Sequence, residues 1–183
     1  AIAANRFWVQ GRKGDVMSDF VQKVRQKVAE NPSVMLMTLA VELGRPEGDL
    51  VAALPEDMRV QGRKEDFAAI WGAMTQWEKC TFLAVNNGCV VEVEGRLPKG
   101  TFGHGMFNLA HGENALSGHI FADRVEKVWF VSKPFFNKES HSVQFFDAKG
   151  EMICAVYLGR DGKREIIPAI KASFMNMRES FAQ

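Results

Sequence analysis

Three of the four histidines, His104, His111 and His119, fall in one stretch between Gly100 and Asp123, among glycines and aromatic residues. The run Gly103, His104, Gly105, Met106, Phe107, Asn108, Leu109 is followed by Leu116, Ser117, Gly118, His119, Ile120, Phe121. An imidazole binds iron or shuttles protons near neutral pH. Glycine inside strand-like sequence marks the close approach of a ligand or a second backbone. A flat, apolar, metal-bearing ligand fits that combination.

Other chemistries are poorly served. The chain has no GxSxG, P-loop, dinucleotide fingerprint or HExxH. Gly103, His104 and Gly105 resemble an oxyanion-hole loop, but no nucleophile elbow accompanies them. His104, His111 and Glu113 match no standard zinc spacing. The three cysteines, Cys80, Cys89 and Cys154, are odd in number and lack CxxC spacing, which argues against a disulfide framework and a structural zinc site. They read as buried, inert thiols in a reducing compartment, with Cys80 and Cys89 able to face one another across a hairpin.

Strands would have to position the histidines. Alternation over Gly103 to Leu109 puts His104, Met106 and Asn108 on one face and Phe107 and Leu109 on the other. His119 likewise shares a face with Ser117 and Phe121, opposite Leu116 and Ile120. If the two strands are neighbours, both imidazoles look into one pocket. Its walls can draw on Phe102, Trp129, Phe135, Phe136, Phe145 and Phe146, although most aromatics at such positions are ordinary core. A porphyrin needs apolar walls, an axial donor and cations for its propionates. Arg160, Lys163 and Arg164, around the turn at Asp161 and Gly162, can hold carboxylates. Solvated turn charges are the commoner explanation for them, as for Arg96 and Lys99.

With 183 residues, 46% of them hydrophobic, the chain can build one sizeable core. A formal charge of +1 gives no broad attraction to nucleic acid or anionic membrane, so neither is expected as a partner. No run of about 18 uncharged apolar residues occurs, and residues 1–16 lack a signal-peptide core, so a cytoplasmic protein is expected. Met17, followed at once by helical sequence, marks residues 1–16 as an N-terminal extension and 17–183 as a single domain.

From Ser18, the spacing of Phe20, Val24 and Val28 predicts an amphipathic helix stopping at Asn31 and Pro32. Two short helices follow about a turn at Arg45 to Gly48, in the shape of a helix-turn-helix. The second begins with Glu47 and Asp49 and continues apolar, which would repel a phosphate backbone, so a packing role is favoured over DNA binding. A longer helix is predicted over Lys64 to Trp77. Strands follow near 80–85, 89–94, 103–109, 116–122, 126–131, 142–146 and 152–158, with turns at Asn87 with Gly88, Lys149 with Gly150 and Asp161 with Gly162, and a last helix spans Arg164 to Phe181. The expected fold is α+β, with a mainly helical part over 17–77, a large antiparallel meander over 78–160 and a closing helix over 164–182.

The ordered motifs are recognisable together. Trp77 precedes a strand, then come Glu94-Gly95-Arg96-Leu97-Pro98-Lys99-Gly100, His104-Gly105-Met106-Phe107-Asn108-Leu109 and Ser117-Gly118-His119-Ile120, and later Ser142-Val143-Gln144-Phe145-Phe146-Asp147-Ala148-Lys149-Gly150-Glu151 and Gly159-Arg160-Asp161. From about Ser18 to the C-terminus the chain resembles the cytosolic haem-carrier proteins of bacterial haem utilisation, the HutX, ChuX and HuvX type. The resemblance implies a homodimeric cytoplasmic protein, related to one half of larger two-repeat haem-handling proteins. Such a protein carries haem b without turnover and passes it to a haem-degrading enzyme. It puts the family's SGH histidine at His119 as the leading iron ligand and its HG histidine at His104 as the alternative. Met106 stands where some relatives carry tyrosine, and Val85 where some carry a further haem-associated histidine. Phe102, Phe146 and Arg160 complete the expected haem-binding set. A haem-degrading oxygenase and a ligand-responsive DNA-binding regulator are the alternative functions.

Overall fold

A computed structural model describes residues 13–86, 88–112 and 114–183. Residues 1–12 and one half of the predicted Asn87–Gly88 turn lie outside the described residues. The helix α1 runs over Lys13–Glu30, so it takes in the end of the expected extension. Two short helices follow, α2 (Leu36–Leu43) and α3 (Glu47–Ala53). Gly44 closes α2 at φ 61°, a left-handed position that glycine adopts without the clash a Cβ would bring. Gly48, Leu50, Val51 and Ala53 of α3 are buried, so its apolar face is spent on packing.

The helix predicted over Lys64 to Trp77 is shorter. A 3₁₀ turn at Lys64–Asp66 leads into α4 (Phe67–Met74), whose Phe67, Ile70, Trp71 and Met74 all face the core. The closing helix α5 covers Pro168–Ser180, because Pro168 fixes the first helical residue and Ile166 is still bridged to Arg160 as extended chain.

The strands are β1 (Arg59–Gly62), β2 (Cys80–Val85), β3 (Val90–Gly95), β4 (Gly100–Gly103), β5 (Met106–Leu109), β6 (Gly118–Ile120), β7 (Lys127–Ser132), β8 (His141–Phe146) and β9 (Met152–Leu158). The fold is α+β with antiparallel pairing throughout, but the strands do not form one continuous meander. Six make a sheet in the order β1-β7-β8-β9-β2-β3, and β4, β5 and β6 leave it to make a three-stranded sheet of their own. The single strand expected over Gly103 to Leu109 is a hairpin. Gly103 pairs with Met106 across a two-residue loop in which His104 (φ 53°) and Gly105 (φ 75°) are both left-handed, the I′ geometry that matches strand twist. Strand β1 was not anticipated, because four residues between two helical stretches carry little periodic signal.

The large sheet separates two apolar clusters. On one face α4, α5 and the small sheet cover Phe82, Val128, Phe130, Val143, Phe145 and Val156. On the other, α1, α2 and α3 cover Trp129, Val131 and Phe146. Strand β8 has all six residues buried, as a strand covered on both sides must. Last in the strand order, β3 has no partner on its outer edge among the described residues, and its Val90 and Val91 are each 47% exposed. Cys80 and Cys154 are buried and their thiols are pushed up to about 12 by burial, which leaves them inert. Cys89 is exposed, and Cys80 pairs with Gly95 in the hairpin register, so the two cysteines do not face each other.

Candidate functional site

The small sheet turns Phe107, Leu109 and Ile120 inward to the core. Its opposite side is an open shelf. In the β5–β6 register Asn108 lies across from His119, and Met106 is two residues from Asn108 on the same face. The His119 Nδ1 lies 2.7 Å from Asn108 Oδ1, while Nε2 makes no hydrogen bond among the described residues. Phe121 follows at 47% exposure, with the Arg124 guanidinium 4.6 Å above its ring centroid. The shelf thus gathers a half-free imidazole, a thioether, an exposed aromatic ring and a cation.

The other expected site residues divide between this shelf and the far side of the molecule. His104 sits exposed at the β4–β5 turn, at the end of the shelf. Phe102 lies on the edge strand β4, 65% exposed, but it pairs with Phe107, its ring 5.1 Å away, and so stands on the inward side of the small sheet, away from His119, which corrects its expected place in the site. Phe146 is fully buried under α1, α2 and α3, and Arg160 lies at the end of β9, where its guanidinium donates to the carbonyls of Glu139 and Arg164. Those two residues are on the opposite side of the six-stranded sheet from His119. Within one subunit they cannot share a pocket with it, and the expectation of a single site is corrected accordingly. The face a β8 residue takes depends on sheet register, which the sequence left open. Trp129 and Phe145 are likewise core.

The fourth histidine, His141, is satisfied and internal, with Nδ1 2.8 Å from Ser132 Oγ and Nε2 2.8 Å from Glu139 Oε1. The Glu139 carboxyl is held below its ordinary range by Lys171 and then by His141. Sequence reading puts Phe121 on the face of His119 without counting it among the haem-binding residues, and misses Arg124. The spacing of the two from His119 carried the signal, since residue 121 shares its face and the chain turns back at once afterwards.

A second concavity lies between the first turn of α2 and the part of the sheet that the helices leave bare. Its volume is about 230 Å³, and its walls include Met35, Met37, Leu83, Val85 and Val90. Lys133, Gln144 and Tyr157 stand at its polar side, and Lys133 Nζ donates to the Val34 carbonyl at 2.5 Å. A hollow of about 220 Å³ beside it reaches Arg160. Neither is lined by His119 or His104.

Glu47 also borders this cleft. Burial, and then the charge of Glu151, raises its carboxyl to about 7, against a smaller opposing pull from Lys133. Lys133 is itself lowered to about 8 by burial. Between its ordinary 4.5 and about 7, Glu47 keeps in the folded chain a proton that the unfolded chain has released. The cost to stability is therefore absent below that interval and is reached in full as pH rises through its upper end. Glu47→Gln is expected to stabilise the fold by about 3 kcal/mol more at pH ~8 than at pH ~4, from 1.36 kcal/mol per pKa unit. Urea denaturation at the two pH values measures it, and an equal effect at both would remove Glu47 as the cause.

Residues 60–177 match the family described as Haem utilisation ChuX/HutX. A protein of Vibrio cholerae serotype O1 described as intracellular heme transport protein HutX is 35% identical over 167 residues, covering 91% of this chain and 86% of that one. A crystal structure of an Erwinia carotovora protein superposes with a TM-score of 0.82 at 28% identity, over 86% of this chain and 98% of its own. The structure described as the heme binding protein ChuX gives a TM-score of 0.76 at 25% identity, over 90% of this chain and 97% of its own. The match spans β1 to α5 and takes in the whole shelf, and the chain belongs to the ChuX/HutX haem-utilisation family.

Proposed function

We propose that this protein binds haem b reversibly in the cytoplasm and hands it on, without chemical turnover, to a haem-degrading enzyme. The observation that carries the reading is His119, an exposed imidazole with one nitrogen engaged and the other open, beside Met106, Phe121 and Arg124. Haem needs an axial donor, apolar contact for the ring and cations for the propionates. His119 meets the iron, Phe121 bears on the ring, and Arg124 takes the propionate role expected of Arg160. His104, at the turn, is the alternative donor.

An open shelf covers one face of a planar ring only. The other is left for a second copy of the chain, in the homodimer that the family resemblance implies. A carrier gains from that openness, because its ligand must leave again. Among the described residues no helix is long and apolar enough to cross a membrane.

The apolar cleft, with Lys133 at its polar side and Arg160 in the hollow beside it, favours a second seat for the ring. One titration separates these readings. Hemin added to the unmodified chain is expected to give a shifted Soret band that saturates at one equivalent per subunit. With reductant, oxygen and catalase present, the band should persist. Steady formation of an open-chain tetrapyrrole would instead make the protein an oxygenase, and absence of saturable binding would end the haem reading. Leu83→Trp, which fills the cleft, is expected to leave the band intact, and its loss would move haem to the cleft.

A further inference from the structure

Resting on His119 as the iron ligand, we propose that Asn108 is the positioning residue of the site. Its side-chain amide holds His119 in the tautomer whose Nε2 is a bare lone pair aimed outward, and its neutrality keeps the iron–imidazole bond weak enough to break.

The assignment follows from what each partner can do. Asn108 Nδ2 lies 2.9 Å from the Gly103 carbonyl oxygen and 3.3 Å from that of Thr101. Carbonyl oxygens only accept, so the atom facing them is the NH₂ group and the other end of the amide is the oxygen. That oxygen only accepts, and it lies 2.7 Å from His119 Nδ1, which must therefore carry the proton. A neutral imidazole has one proton to share between its nitrogens, so Nε2 is left unprotonated. A free imidazole prefers the opposite arrangement, with its proton on Nε2, and in that form the outward nitrogen cannot bind a metal.

The amide is held rigidly enough to enforce this. Two of its carbonyl partners lie on β4, the strand paired with its own, a third, that of Met106 at 3.4 Å, lies on β5 itself, and the I′ turn at His104 and Gly105 fixes the hairpin register. The same register places His119 directly across on β6. Turn, amide and ligand form one chain of contacts from His104 to the open nitrogen. The identity of the acceptor then sets the donor's strength. A carboxylate behind a ligating histidine raises its basicity and tightens the metal bond, whereas an amide fixes the orientation and adds less. For a protein that must release its ligand, an amide is the suitable choice.

Long-range ¹H–¹⁵N correlation on the histidine-labelled, haem-free protein, at mildly alkaline pH where imidazoles are neutral, reads the tautomer directly. The unmodified chain is expected to show His119 protonated at Nδ1. Asn108→Leu is expected to move the proton to Nε2 and to speed hemin transfer to apomyoglobin by about 10–100-fold, the usual effect of losing such a partner. Asn108→Asp forfeits the bonds to the β4 carbonyls but sets a carboxylate behind the imidazole, and it is expected to keep the Nδ1 proton and to slow the transfer. A proton on Nε2 of His119 in the unmodified chain overturns the proposal, whatever the folding of the variants. So does an Asn108→Leu protein that keeps both tautomer and transfer rate. If hemin fails to bind the unmodified chain, the haem reading falls, while the tautomer still decides the role of Asn108.

Discussion

Replacement of His119 by alanine is expected to abolish iron ligation on the shelf, so that hemin added to that variant shows the absorption of the free pigment. Loss of a partner behind a ligating histidine already weakens metal binding by up to ~100-fold, and loss of the ligand itself exceeds that. The fold should be unaffected, because His119 is exposed and touches the rest of the protein through Asn108 alone among the hydrogen bonds described. A change in stability within about 0.5 kcal/mol, normal for a surface site, is therefore expected in a thermal melt. His104→Gly is the matching control. Glycine tolerates the left-handed turn better than histidine does, so that variant should fold at least as well and keep its Soret band. If His119→Ala instead keeps the band and His104→Gly loses it, the ligand is at the turn.

The second large effect is one of stability. Trp71 of α4 is fully buried, and its Nε1 donates to the Pro98 carbonyl at 3.0 Å. Its ring packs against Phe67, Phe82 and Phe107, with centroids 6.2, 6.4 and 6.0 Å away. Trp71→Ala removes the largest side chain at the junction of α4, the large sheet and the small sheet, and leaves a buried carbonyl without its donor. A cost of about 3–5 kcal/mol is expected from such a truncation. For a chain of this size each kcal/mol lowers the melting temperature by roughly 2–4 °C, so a fall of about 6–20 °C should be seen by calorimetry. Because Phe107 lies in β5, behind the shelf, weaker hemin binding should accompany the loss even well below the melt. A variant within about 1 kcal/mol of the unmodified chain would show that the cavity collapses and that Trp71 does not anchor the small sheet.

The elements were legible where one period was sustained. Strands β2, β7, β8 and β9 and helix α1 stand close to where alternation or 3.6-residue spacing places them, because burial of a single face leaves a mark at every second or every third and fourth residue. What stayed hidden is what depends on pairing. No local signal says that β4, β5 and β6 leave the main sheet, and with His104 and Gly105 the turn chemistry was present but was taken for strand. The shelf was therefore half visible. Alternation puts Met106 and Asn108 on one face and lets His119 join them across neighbouring strands, whereas Phe146 and Arg160 lie across a sheet whose register the residues do not encode locally. Arg124 escaped notice because a cation in a short 3₁₀ turn has no period at all.

The free rim of β3 has a further consequence. An unpaired strand with two half-exposed valines is a template on which another extended chain can grow, the first step of fibril formation. Here Glu92 and Glu94 interrupt the valines, and the latter is tethered to Lys79 at 2.8 Å. These carboxylates act as gatekeepers. A strand added along that rim would have to set its own side chains against these charges, so the large sheet is disfavoured from growing past its sixth strand.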